Sequence, residues 1–426
     1  MRKVADFIAE YLATYGVDRV FMVTGGGAMH LNDSFGKHQD TWEIVFHHHE
    51  QACAIAAEGY SRTTGKLGVV NVTTGPGGLN TLTGVMGQWT DSVPVLYISG
   101  QVKTETTIAA CPDVPLRQLG DQEVDIVRIV RPITKYAVTL QAPQDVKKVV
   151  QEAIFHATTG RPGPVWIDVP MNIQGALVDE DALAGFVAPE KPGSSARLSA
   201  DADAARKLLA AARRPVIIAG HGIRLGKALE SFREFLAQHP WPVVTTFNGF
   251  DLVPSDHPQY IGRIGTVGDR AGNFALQNAD VVLSLGSRNN VRQTSYTWKN
   301  FARAAKKIVV DIDPAELAKP TVKPDLAVAA DVKFFLKEIN AAPISPEQAP
   351  WGDWLAWCQA RKHKYPVVLA EYQAVKGGVQ PYWFMQVLTA ALPEGAVCVA
   401  GNGTACVTLF QAGIVKKHQR IFWNSG

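Results

Sequence analysis

The sequence has no excess of charge of either sign. Its 42 Lys and Arg against 39 Asp and Glu leave a net +3 over 426 residues, too little to hold a nucleic acid or an anionic membrane by electrostatics alone. It is also poor in cysteine: Cys53, Cys111, Cys358, Cys398 and Cys406 are scattered, without the close pairs of a zinc site or a redox dithiol. A reducing, cytoplasmic compartment is therefore expected. No apolar run approaches the ~20 residues that cross a bilayer, and the opening "MRKVADFIAEYLATYG" is interrupted by Asp6 and Glu10. Low-complexity tracts and short-period repeats are absent too. What is present is a globular balance, 46% hydrophobic and 19% charged, at a length that implies two or three domains.

Val4, Phe7, Ile8, Leu12 and Tyr15 recur at helical spacing, and Gly16 can end that helix. "DRVFMVTGGG" then reads as a buried strand entering a glycine loop. "GVVNVTTGPG", "VPVLYISG" and "GPVWIDVP" are further short apolar strands with room for a helix between them, the pattern of an α/β doubly wound parallel sheet. The Pro/Gly/Ser-rich stretch from Ala188 to Asp201 reads as a linker. A second series follows with "RPVIIAGHG", "PVVTTFNG", "ADVVLSLGSR" and "KIVVDIDP", in the same architecture, as two distant copies of one design would be. After "NAAPISPEQAPWGD", a third segment shows one clear strand, "GAVCVAGNGTA". The expected domains are 1–187, 200–340 and an incomplete 352–426.

One carboxylate stands out. In "FHHHEQACAIAAEGYSRTTG" Glu50 heads a run that is apolar nearly all round from Gln51 to Ala57, the mark of a buried helix. An acid in a first turn gains ~0.3–1 kcal/mol from the helix dipole, so a purely structural role and a chemical one both remain open. Glu58 and Arg62, four apart, read as a surface ion pair. His47, His48 and His49 read as consecutive strand residues that point to alternating faces and cannot converge on one metal ion. "TTGPGGLN", Thr73 to Asn80, follows a strand and precedes a helix, so it is either a ligand-facing turn or a plain one.

The order of "GGGAMH", "HHHEQACAIAAEGYSRTTGKLGVVNVTTGPGGLN", "TDSVPVLYISGQV", "DQEVDIVRIVRPITKYA" and "TTGRPGPVWIDVP" resembles the pyrimidine-binding domain of thiamine-diphosphate-dependent enzymes of the acetolactate synthase type. "LGSRNNVRQTS" and "VVDIDPAE" resemble the family's central domain, and "GNGTACVTLFQ" the opening of its diphosphate-binding domain. The resemblance implies that Glu50 exchanges a proton with the cofactor's aminopyrimidine, so that a 2-oxo acid, pyruvate foremost, loses carbon dioxide and its acyl unit passes to a carbonyl acceptor. It implies a pyrimidine end lined by Thr24, Gly25, Gly26, Gly27, Thr74, Gly75, Pro76 and Gly77, with Asn80 close by. Gln122 stands at a substrate-contacting position. Asp121 replaces a phenylalanine of the acetolactate synthases, which turns attention from a small 2-oxo acid to a polar acceptor such as a ketosugar. A homodimer or homotetramer is implied, because the family's cofactor lies between subunits.

For the central domain the resemblance implies FAD, with Arg288 and Arg292 in the flavin-contacting segment. Asn289 and Asn290 replace acids there, and a bare structural spacer is the competing reading. "AGHGIRLGKA" echoes a dinucleotide turn without the nicotinamide fingerprint's glycine spacing. Gly403 and Thr404 match the first diphosphate-contacting turn, or are an ordinary strand end. The family's magnesium ligands, a Gly-Asp-Gly run and a later asparagine, are not in this chain, so Mg2+ is expected as a cofactor without protein ligands here. Two classes of function stand side by side: a carboligase, and a truncated non-catalytic protein that binds a nucleotide or flavin or serves in assembly.

Overall fold

The computed structural model describes residues 1–189, 195–347 and 351–424, which form two compact units divided between residues 191 and 192. Both are α/β, with parallel sheets in tandem. The first contains β1 (Arg2–Lys3), β2 (Arg19–Met22), β3 (Glu43–Phe46), β4 (Gly68–Val72), β5 (Val95–Gln101), β6 (Tyr136–Thr139), β7 (Val165–Pro170) and β8 (Leu177–Val178). β1 and β8 make a short antiparallel pair. The others form one parallel sheet in the order β3-β2-β4-β5-β7-β6. Every residue of β4, β5 and β7 is buried, as apolar runs must be when helices cover both faces. On one face Phe7, Ile8 and Leu12 pack with Leu31 and Phe35; on the other Cys53, Ala54 and Ala57 pack with Val85, Tyr97 and Trp166. The helix Val4–Tyr15 ends at Gly16, as expected, with φ 97°, in the left-handed region that favours glycine.

Three local expectations change. The helix Glu50–Thr64 buries Cys53, Ala54 and Ala57 but leaves Ala52 and Ile55 exposed, so it is amphipathic in burial though not in polarity. Glu58 and Arg62 are not on the surface: the Arg62 side chain is 2% exposed, and it bonds Glu58 and also Asp91 of the helix Leu82–Asp91. The spacing identified the pair, but nothing local could reveal the second helix that covers it or the second acid it brings. His47 to His49 lie in the turn after β3 rather than in a strand, and His49 Nδ1 accepts the Gln51 N–H to cap the helix.

The second unit has β9 (Pro215–Ala219), β10 (Val243–Thr245), β11 (Tyr260–Arg263), β12 (Val281–Leu285), β13 (Lys306–Asp311) and β14 (Leu326–Ala329). Their order, β11-β10-β9-β12-β13-β14, all parallel, is that of dinucleotide-binding sheets. Of the expected linker at 188–201, residues 190–194 lie outside the described residues, and from Ser195 the chain is helix to Ala210. Leu198, Ala202, Ala205 and Leu209 explain this, since they recur at helical spacing and pack on the sheet. Residues 348–350 of the second expected linker also lie outside the described residues. The helix Gly352–Lys364 that follows packs on the central sheet, with Trp351 Nε1 on Ala212 O at 2.8 Å and Trp354 Nε1 on Pro215 O at 3.0 Å. Beyond it, β15 (Val397–Ala400) and β16 (Arg420–Trp423) pair in parallel. Phe410 and Trp423 pack there with Phe247 and Phe250 of the central part. The fully buried Asp251 carboxylate ties the two parts, pairing with Arg224 at 2.9 Å and Arg420 at 2.7 Å.

Candidate functional site

In the first sheet the chain leaves β2 for β3 on one side and returns to β4 on the other. Such a reversal opens a crevice at the carboxyl ends of β2 and β4, where ligands of doubly wound sheets bind. The residues leaving these strands are Val23 to Gly27 and Thr73 to Asn80. Glu50, the first residue of its helix and half-buried, also reaches this edge.

The glycines are there because the two turns touch. A Cβ on Gly25 would sit 2.5 Å from Thr73 Cβ, and one on Gly27 would sit 1.9 Å from Thr74 Oγ1. Thr73 Oγ1 accepts the Gly27 N–H at 3.1 Å. Gly75 has φ 57°, and a Cβ on it would meet the Gln122 carbonyl oxygen at 2.0 Å. Gln122 itself has φ 61°, a conformation that costs a non-glycine residue roughly 1–2 kcal/mol. A Cβ on Gly77 would lie 3.5 Å from Glu50 Oε1, while Glu50 Oε2 accepts the Asn80 side-chain amide at 2.9 Å. Glu50, Gly25, Gly27, Thr74, Gly75, Gly77, Asn80 and Gln122 are thus brought together. Thr24, Gly26 and Pro76 lie in the same turns, exposed.

Sequence reasoning passed over the layer beneath. Asn32 Nδ2 donates to Gly25 O at 3.1 Å, Asn71 Nδ2 to Asn32 Oδ1 at 2.8 Å, and Gln174 Nε2 to Gly27 O at 2.8 Å. The one signal was an asparagine inside the apolar strand "GVVNV". Further along the edge, Asp168 on β7 is fully enclosed. Burial pushes its carboxyl up to about 7, against hydrogen bonds from Ser99, Gln101 and Thr139 that favour the charged form. Burial, and then the nearby Glu50 carboxylate, push the Cys53 thiol up to about 12, which leaves it an inert core group.

Comparison with known proteins identifies the family. The family model described as thiamine pyrophosphate enzyme, N-terminal TPP binding domain, matches residues 2–129, and the one described as thiamine pyrophosphate enzyme, central domain, matches residues 202–339. The chain is 35% identical over 422 residues to acetolactate synthase isozyme 2 large subunit of Escherichia coli (strain K12), covering 94% of this chain and 73% of that one. It is 34% identical over 414 residues to acetolactate synthase 1, chloroplastic, of Zea mays, covering 94% and 61%. Against the acetolactate synthase large subunit of Lactococcus lactis it is 34% identical over 404 residues, covering 94% and 66%. The chain belongs to the thiamine-diphosphate-dependent enzymes of the acetolactate synthase family. It spans less than two thirds of the length of the maize and Lactococcus relatives.

For a member of this family, the first unit fits the heterocyclic end of the cofactor. Its turns bring bare backbone to the crevice, one carboxylate oxygen borders it, and the buried Thr74 Oγ1 has no hydrogen-bond partner. The magnesium ligands are another matter, since no group of three or more His, Cys, Asp or Glu converges among the described residues. In the second unit Gly403, with φ 82°, caps the helix Thr404–Ala412 after β15; Gly403 and Thr404 are exposed, while Cys406, Leu409 and Phe410 further along the helix are buried. Arg288 and Arg292 follow β12 at that sheet's own point of reversal. The Arg292 guanidinium lies over the Phe247 ring at 4.7 Å, and the Arg288 carbonyl accepts from Lys319. Asn289, buried with φ 45°, bonds Ser287 and Gln293. The echoing turn is closed against the residue that follows β12: a Cβ on Gly220 would meet Gly286 O at 2.3 Å, and the Gly222 N–H donates to Gly286 O at 2.9 Å. Among the described residues no helix is long and apolar enough to cross a membrane.

Proposed function

We propose that this chain carries the pyrimidine-binding part of a thiamine-diphosphate-dependent carboligase that decarboxylates pyruvate and joins its acyl unit to a carbonyl acceptor. The observation that carries the proposal is the split use of one carboxylate. Glu50 Oε2 is held by Asn80, which leaves Oε1, beside the bare backbone of Gly77, as the atom that takes up and returns a proton. Gly25, Gly26, Gly27 and the Thr74, Gly75, Pro76, Gly77 turn let backbone approach a flat ring, Thr24 borders them, and Thr74 Oγ1 supplies an unused polar contact. When bound, thiamine diphosphate supplies the carbon nucleophile and the electron sink of the reaction, with Mg2+ neutralising its phosphates. Gly403 and Thr404 would meet the diphosphate. Gln122, its carbonyl against Gly75, orients the substrate, and exposed Asp121 beside it favours a hydroxylated acceptor, a ketosugar, over a second 2-oxo acid. The test is titration of the purified chain with thiamine diphosphate and Mg2+, followed by pyruvate consumption. Glu50→Gln should retain the fold and lose at least ~100-fold in turnover, and undiminished turnover would overturn the assignment.

Four further proposals accompany it. The three-part division at 1–187, 200–340 and 352–426 and a cytoplasmic location are retained. FAD is assigned to the carboxyl edge of the central sheet on its strand order and on Arg288 and Arg292; a colourless protein after reconstitution with FAD would remove it. A homodimer is assigned because Ile55, Met86 and Trp89 are 47%, 45% and 39% exposed on the adjoining helices Glu50–Thr64 and Leu82–Asp91, an apolar face that a second copy of this chain would cover. Sedimentation as a monomer at micromolar concentration would exclude it.

A further inference from the structure

Gln122 holds a left-handed backbone conformation with its carbonyl pressed against Gly75, and such a conformation persists only where its surroundings over-determine it. The neighbouring side chain does this. Glu123 Oε1 accepts the backbone N–H of Ile108 at 2.5 Å, and Oε2 accepts those of Leu119 at 3.0 Å and Gly120 at 3.2 Å. The Glu123 carbonyl takes the Gln118 side-chain amide at 2.9 Å. One carboxylate thereby closes the exposed loop from residue 108 to residue 120 at its stem. From the other side Gln101 Nε2 donates to Val124 O at 2.9 Å, and that amide also bonds the buried Asp168. Gln122 is the residue between these two anchors and the crevice.

We propose that Glu123 is a positioning residue whose three backbone bonds fix Gln122, and through the Gln122 carbonyl the Gly75 turn, in the geometry that receives the cofactor's ring. This rests on the thiamine diphosphate reading above, but the mechanical link is a property of the free chain. Charge matters as well as reach. A glutamine at this position keeps one acceptor oxygen but turns an N–H2 donor toward the amides on the other side.

The test is amide hydrogen exchange on the full chain, read in peptides covering residues 106–122 and 73–81. The second carries the Gly77, Leu79 and Asn80 amides, bonded to Thr74, Gly75 and Pro76 carbonyls. Glu123→Gln should speed exchange about tenfold in both peptides and leave the strand β7 unchanged. Glu105→Gln, exposed on the short 3-10 turn just before that loop, should change neither. Ile108→Pro is an independent cut: it removes a single donor at the first position of a short 3-10 turn, after Thr107 at φ −89° and ψ 153°, which suits a residue before proline. It should act in the same direction and more weakly. Faster exchange confined to residues 106–122 in both variants would overturn the proposal. A second arm adds thiamine diphosphate with Mg2+. Protection of residues 73–81 in the wild type should need about tenfold more cofactor in Glu123→Gln. No protection in the wild type would overturn the cofactor reading instead, with exchange in the free chain still deciding the role of Glu123.

Discussion

Asp168 offers the sharpest quantitative test, because its enclosure makes a prediction that changes sign with pH. The carboxyl is pushed from 3.8 up to about 7 by burial. A carboxyl whose folded value is raised binds a proton in the folded chain that the unfolded chain has already released. Stability therefore falls as pH rises from about 4 to about 7, by up to ~1.4 kcal/mol per pH unit and ~4 kcal/mol across the window. Asn at position 168 removes that dependence. Its oxygen can still accept from Ser99 Oγ, which sits 2.6 Å from Asp168 Oδ1 and itself accepts the Trp166 N–H at 2.8 Å. Its amide would face the Gln101 amide, a donor against a donor, at a cost of ~1–2 kcal/mol. Asp168→Asn should thus be the less stable protein near pH 4.5 and the more stable one above pH 7, by ~2–3 kcal/mol. Urea denaturation of both proteins at half-unit steps from pH 4 to 8 measures the difference directly. The reasoning is refuted if that difference stays flat across the range, since Asp168 would then titrate as an ordinary carboxylate.

Two packing predictions concern the helices behind Glu50. Arg62→Met removes the buried cation that bonds Glu58 and Asp91, whose side chains are 5% and 1% exposed, and should cost ~3–5 kcal/mol in urea denaturation at pH 7. Gly84→Ala gains up to ~1 kcal/mol of helix propensity but places a Cβ 2.4 Å from Ala54 Cβ. It should therefore destabilise by ~1–3 kcal/mol, and Ala54→Gly in the same protein should recover most of the loss; an additive double variant would show that the two helices relax apart freely.

The parts of this molecule legible from sequence were those written in local pattern. Apolar runs such as "VLYISG" and "VVLSLG" gave strands because parallel sheets buried on both faces need unbroken apolar residues. Gly16 ended its helix because the left-handed turn there favours glycine. What local pattern did not carry was partnership across the fold. Asp91 lies 29 residues from Arg62, and no spacing relates them. The Thr73 hydroxyl, the Asn32–Asn71 pair and the Gln174 amide are single polar residues whose roles come from which strands lie side by side. Glu123 likewise reads as one acid in "GDQEVD", and only the return of the loop to its own stem discloses what it holds.

The two six-stranded sheets share an architecture but differ in what their crevices present. In the first, Gly25 and Gly27 leave room for the Thr73 and Thr74 side chains, so polar groups enter the gap and one hydroxyl remains unpartnered. In the second, Gly220 and Gly222 meet the Gly286 backbone itself, and the Gly222 N–H is already committed to Gly286 O. An amide so committed is not free to cradle a phosphate at the turn, as the first glycine turn of a nicotinamide site does. The Gly222 amide is thus not available to a nucleotide at the second crevice, and the proposed recognition there rests on the segment after β12, where Arg288, Asn289 and Arg292 stand.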